Sequence, residues 1–229
     1  GFAKVFDTDF AADLTILEEG TELLGRIQNG GKLPMITSCS PGWIKYCEMF
    51  FPDFIENLST CKSPHEMMGA VIKSYYAKKE GIDPKSIYVV SIMPCTAKKF
   101  EKDREELAND GLANVDAVLT TRELTKMIKQ SNIDFAHLPD EDFDRLLGES
   151  SGAGVIFGAT GGVMEAALRT VADILTGKDL DDIDYECIRG IDGVKEATIN
   201  IAGMDIKVAV VHGTGNAKKL LEAVRAGEK

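Results

Sequence analysis

Two cysteines set beside prolines carry the most chemistry in this sequence. Cys39 lies in Thr37-Ser38-Cys39-Ser40-Pro41-Gly42-Trp43, and Cys95 in Met93-Pro94-Cys95-Thr96-Ala97-Lys98-Lys99-Phe100-Glu101. Each is read at the end of a strand and the mouth of a helix. A helix N-terminus lowers a thiol pKa and favours thiolate, the form that binds metal or moves a proton. Lys98, three residues after Cys95, sets a cation near any anionic ligand. The competing reading is that both are small buried hydrophobes, the common state of free cysteine. Spacing alone leaves both readings open. A third loop, Phe157-Gly158-Ala159-Thr160-Gly161-Gly162-Val163-Met164-Glu165, is rich in glycine. Its glycines let the backbone pass close to something bulky, or simply make a tight turn. It fits neither the P-loop pattern nor GxGxxG, and GTGNAKK at 213–219 is an equally weak nucleotide signal.

The elements that must position these loops alternate along the chain. Apolar spacing predicts a helix over 10–29, ended by Gly30-Gly31, and a short strand over 33–37 that runs into the Cys39 loop. Helices follow over 43–50 and 64–80, the second with Ser63 as N-cap, Pro64 in its first turn and Gly81 at its end. Residues 87–93 and 116–121 read as strands, and 122–130 as a helix. The acidic stretch 139–152 reads as a surface helix and loop, 154–159 as a strand entering the glycine turn, and 163–176 as a helix. A hairpin over 195–201 and 205–212 precedes a C-terminal helix. Buried apolar runs alternating with helices define an α/β fold with mainly parallel strands. Open sheets of that kind place their sites at the C-terminal ends of strands.

Composition narrows the partners. In 229 residues, Lys plus Arg number 26 and Asp plus Glu 37, a net charge of −11 that argues against nucleic acid or an anionic membrane. There is no apolar run long enough to span a bilayer, no signal-peptide pattern at Gly1-Phe2-Ala3-Lys4 and no low-complexity tract. Five cysteines, none in a CxxC pair, point to a reducing compartment and hence the cytoplasm.

Together, TSCSPGW, MPCTAKKFE and FGATGGVMEAALRT, in this order and spacing, resemble the catalytic domain of iron-only (di-iron) hydrogenases. The resemblance runs from Gly1 to Lys229. It implies two lobes, here 1–85 and 86–229, each a small, mostly parallel sheet flanked by helices, with the cofactor cleft between them. The implied cofactor is a 4Fe-4S cubane bridged by a cysteine thiolate to a di-iron unit bearing CO and CN ligands. The implied reaction is reversible formation of hydrogen from two protons and two electrons. By resemblance, Cys95 is a cubane ligand and Cys39 delivers protons to the di-iron unit. Glu19, Ser59 and Glu22 form the relay behind it, with Arg26 nearby, and Lys98 hydrogen-bonds a cyanide. Met93, Pro64 and Phe157 match pocket positions. His65 does too, although the family usually has Gln there.

Two departures stand against those matches. Ser40 occupies a position that is normally a cysteine ligand, and a serine hydroxyl is a hard, poor substitute for thiolate on iron–sulfur. The family's closing CxxxC, its first strand and its ferredoxin-like domains have no counterpart in these residues. The expectation is a fragment that is apo and inactive on its own, with a cleft wall that favours self-association. Its implied partners are the remainder of the parent chain, ferredoxin or NAD(P)-linked electron-transfer modules, and hydrogenase maturation proteins. Two rival readings are a hydrogenase-like iron–sulfur scaffold or sensor and a nucleotide-binding α/β domain. Cys47, Cys61, Cys187, His137 and His212 match no site position.

Overall fold

The structure, a computed structural model, describes residues 1–177, 186–187 and 193–228. The chain forms two compact units, each discontinuous in sequence: Gly1–Thr15, Ser38–Ile44 and Thr60–Ser151 in the first, Ile16–Thr37, Lys45–Ser59 and Gly152–Lys229 in the second. Helix α1 (Thr8–Asn29) begins in the first unit and continues in the second, and α2 (Pro41–Phe50) does the same.

In the first unit, α3 (Pro64–Val71) starts on Pro64, whose missing N–H costs nothing at a helix N-terminus. Ser63 holds the N-cap position with extended backbone, but its hydroxyl makes no capping bond. The helix read over 64–80 is continuous but not uniform. A wider π turn over Ile72–Tyr76 separates α3 from α4 (Ala77–Glu80), and Gly81 closes it at φ +67°. Such turns are rare and occur mostly as single turns inside α-helices. Here Lys73 is buried, and its Nζ donates to the Ala113 carbonyl and Asp116 Oδ2, each at 2.7 Å. Strand β1 (Val90–Met93) pairs in parallel with β2 (Ala117–Thr120), Val90 opposite Ala117. Between them the chain makes a short helix, α5 (Lys98–Glu101). Helix α6 (Thr121–Gln130) opens on a capping box, with Thr120 Oγ1 accepting from Glu123 N and Glu123 Oε2 from Thr120 N. Met68, Ile72, Val89, Val115, Val118 and Leu146 form the core of this unit.

The acidic stretch differs from its expected helix. Residues 139–150 are irregular, because Pro139 breaks a helix and like charges three and four apart repel on one. They contribute instead one parallel bridge, Phe6 to Asp144. The Asp144 carboxylate accepts from Lys4 Nζ at 2.7 Å and Val5 N at 2.8 Å.

In the second unit, residues 33–37 make only a bridge, Ile36 to Leu58, with Ile36 N donating to Asn57 O and Ser59 N to Ile36 O. Pro34 has no N–H with which to extend it. The segment read as a strand over 154–159 instead falls largely in a helix, α7 (Gly152–Phe157). Its apolar residues explain the helix: Ala153, Ile156 and Phe157, three and four apart, pack on Ile16, Ala166 and Ala167. Helix α8 (Gly162–Thr176) follows at once. A Cβ on Gly162 would sit 1.7 Å from the Ile156 carbonyl oxygen, so glycine is required where the two helices meet. The glycine loop is therefore a tight turn. Strands β3 (Glu186–Cys187), β4 (Val194–Ile201) and β5 (Met204–Val211) form one sheet, antiparallel at both pairings, and α9 (Thr214–Arg225) follows them. The expectation of mostly parallel sheets thus holds for the first unit. In the second, the tight Ala202-Gly203 turn after β4 forces antiparallel pairing. Leu168, Val171, Ala172, Ile199 and Ile201 form the core.

Candidate active site

Of the three chemistry-bearing loops, the Cys95 loop alone follows a strand, leaving β1 at Met93 and entering α5. The Cys39 loop follows the Ile36 bridge and enters α2. The glycine loop joins two helices. Within the first unit the structure brings the Cys39 and Cys95 loops together through Lys98. Its Nζ donates to the Cys39 carbonyl and to Glu101 Oε2, each at 2.7 Å. Ser38 Oγ donates to the Cys61 carbonyl at 2.9 Å and helps fix the same loop.

Glu101, Ser91 and Glu66 belong to this cluster and were missed in the sequence, although Glu101 lies three residues after Lys98 on the expected helix. Glu101 Oε2 is 2.6 Å from His65 Nε2, and His65 Nδ1 is 3.1 Å from Ser91 Oγ. Burial raises the Glu101 pKa, but the His65 hydrogen bond and the Lys98 charge outweigh it and hold the carboxyl below its ordinary value. Glu66 goes the other way. It is buried, and Asn114 Nδ2 donates to its Oε2 at 3.1 Å. Its Oε1 lies 3.7 Å from His65 Nε2 and has no hydrogen-bond partner among the described residues. Burial pushes this carboxyl up, against smaller opposing effects of His65 and Asn114. His65 and Pro64 are buried, and Met93 packs on the core.

The second unit holds the carboxylate set. Glu19 is 1 % exposed, three residues before Glu22 on α1. Ser59 Oγ donates to Glu22 Oε2 at 3.0 Å. Arg26 donates to Glu22 Oε1 through Nε at 3.0 Å and Nη2 at 2.6 Å. The same guanidinium donates to the Leu58 carbonyl at 2.7 Å and to those of Lys32, Glu56 and Asn57. Glu22, which on spacing alone reads as a surface residue, is thus held in a network. Phe157 packs on Ile16 and Ala166.

The metal-ligand positions are less complete. Cys95 and Ser40 are exposed. Among the described residues, no three His, Cys, Asp or Glu side chains come together to hold a metal ion. One thiol and one hydroxyl do not make a four-thiolate iron–sulfur site. The described residues alone therefore do not fit that cofactor. Cys47 is buried, and burial raises its thiol pKa. The side chain of Cys187 lies outside the described residues.

Over residues 1–229 the chain matches the family model for the C-terminal domain of the iron only hydrogenase large subunit. It is 50% identical over its whole length to iron hydrogenase 1 of Clostridium pasteurianum, covering 40% of that protein. It is 53% identical to the large subunit of a periplasmic iron hydrogenase of Nitratidesulfovibrio vulgaris, covering 55% of it. Among solved structures, an apo FeFe-hydrogenase from Chlamydomonas reinhardtii matches the full chain at a TM-score of 0.88 and 44% identity, with 65% of that protein covered. The chain belongs to the iron-only hydrogenase family, in the C-terminal domain of its large subunits. It spans about half the length of the curated relatives it matches.

Proposed function

We propose that these residues form part of a hydrogenase that interconverts hydrogen with two protons and two electrons, and that this chain supplies the proton path and the pocket cation. The observation that carries the proposal is the Ser59–Glu22–Arg26 network beside buried Glu19. A hydroxyl that donates to a fixed carboxylate can pass a proton when that carboxylate is reloaded. Arg26 keeps Glu22 oriented with Oε2 toward Ser59. Cys39 offers a thiol as the terminal donor, and Lys98 an ammonium beside it to stabilise negative charge. The cofactor of such a hydrogenase supplies the redox chemistry.

Because the donor set is incomplete, we propose that the 229 residues alone hold no cubane and evolve no hydrogen. Anaerobic reconstitution with iron and sulfide tests this. The expected result is less than stoichiometric iron and acid-labile sulfide, and a full cubane overturns it. Partners in this reading are further hydrogenase sequence, an electron donor such as ferredoxin or an NAD(P)-linked module, and maturation proteins. The NADP-linked option is supported by 53% identity to an NADP-reducing hydrogenase subunit of Solidesulfovibrio fructosivorans. We also propose a cytoplasmic location on the odd cysteine count. One relative is named periplasmic, so fractionation of the source cells is the deciding measurement.

A second reading, an iron–sulfur scaffold without hydrogen chemistry, is favoured by one observation. The chain is 32% identical, over 99% of its length, to a cytosolic Fe-S cluster assembly factor of Xenopus tropicalis. The higher identity to hydrogenases ranks it second.

A further inference from the structure

Four side chains of the first unit form a continuous hydrogen-bonded chain that the roles above do not use in full. Ser91 on β1 meets His65 on α3, His65 meets Glu101 on α5, and Glu101 meets Lys98. Ser91, His65 and Glu101 are buried, and the Lys98 side chain is 12 % exposed. An ionised carboxylate only accepts, so His65 Nε2 carries the proton in the 2.6 Å bond to Glu101. Nδ1 then faces the Ser91 hydroxyl, which fixes the ring plane.

The bonds converge on one atom. Glu101 Oε2 accepts from both His65 and Lys98. A carboxylate oxygen has two lone-pair directions. With His65 on one, Lys98 is directed to the other. The Lys98 ammonium has three N–H groups, and two are set, on Glu101 and on the Cys39 carbonyl. Tetrahedral geometry then determines the third. A flexible four-carbon stem is thereby made to present one N–H in a defined direction.

We propose that His65 is a positioning residue that, through Glu101, fixes the direction of the Lys98 ammonium. The catalytic consequence rests on the hydrogenase reading, in which Lys98 faces an anionic ligand. The geometry does not.

Nitrogen-15 NMR of lysine ammonium groups on the 229-residue chain tests it without any cofactor. A lysine ammonium is visible at neutral pH when hydrogen bonds slow its exchange. Lys98 and the independent buried Lys73, bonded to Asp116, both qualify. His65→Ala is expected to speed Lys98 exchange about ten- to a hundredfold, the loss of a charge-assisted bond, and to leave Lys73 unchanged. His65→Gln, whose amide still donates to Glu101, is expected to restore most of the protection. Lys98 exchange unchanged in His65→Ala overturns the proposal. Should both lysine signals vanish, alanine has unfolded the unit, and His65→Gln against His65→Asn decides. Protection in Gln but not in the shorter Asn supports positioning, and equal rates in the two overturn it. Failure here leaves the hydrogen assay untouched, and a failed hydrogen assay leaves these exchange rates unchanged.

Discussion

Arg26→Ala removes both guanidinium bonds to Glu22 and unties the carbonyls of Lys32, Glu56, Asn57 and Leu58. The pair it breaks is largely withdrawn from water, with side chains 12% and 16% exposed. Removing one partner of a buried pair costs about 3–5 kcal/mol, because a charge is stranded. The residual exposure screens that charge and places the expected loss at the lower end, about 3 kcal/mol. Urea unfolding followed by circular dichroism reads it as a lower midpoint at constant slope. The sharper measurement is the cycle with Glu22→Ala. Removing both charges strands neither, so the double variant loses less than the sum of the singles, with a coupling of at least about 1 kcal/mol. Additive losses, or a single-variant loss below about 0.5 kcal/mol, refute the claim that Arg26 holds Glu22 in place.

Two further outcomes are expected. Glu66 titrates above its ordinary value of 4.5, so the folded chain keeps a proton that the unfolded chain releases, and this group's contribution falls as pH rises from there. Glu66→Gln removes that slope. Its stability relative to the parent climbs with pH through the acid range and levels off, and a pH-independent difference contradicts the assignment. Among thiols, in a Cys187→Ala background, exposed Cys95 reacts first with a disulfide reagent and buried Cys47 reacts after unfolding. Equal rates for the two contradict the burial assigned to them.

The strong periodic signals were legible in the sequence: the helix after Thr8, the helix after Pro64, the strand into Met93 and the final hairpin all form. The acidic stretch fails as a helix for local reasons, Pro139 and its like charges, whereas other failures are short segments whose state is decided by packing. Residues 152–157 are apolar enough for either state. Contact of Ala153, Ile156 and Phe157 with α8 makes them helical. The π turn at Ile72–Tyr76 has no signal in the apolar spacing, and Lys73 within it bonds Asp116, 43 residues away. In the site, the resemblance supplied Lys98, Glu22 and Ser59. The hydrogen bonds from His65 and Lys98 to Glu101 join residues 36 and 3 apart, and only the second lies within reach of helical spacing.

The central claim, that these residues serve hydrogen chemistry through a Glu22–Ser59 proton path, is tested most directly by hydrogen evolution from reduced viologen. The assay uses the natural gene product that contains these residues, supplied with synthetic di-iron cofactor, beside its Glu22→Gln variant. The expected result is hydrogen from the parent and a loss of about a hundredfold in the variant, the scale of a removed proton-transfer group. No hydrogen from the parent, or equal rates in the two, contradicts the account.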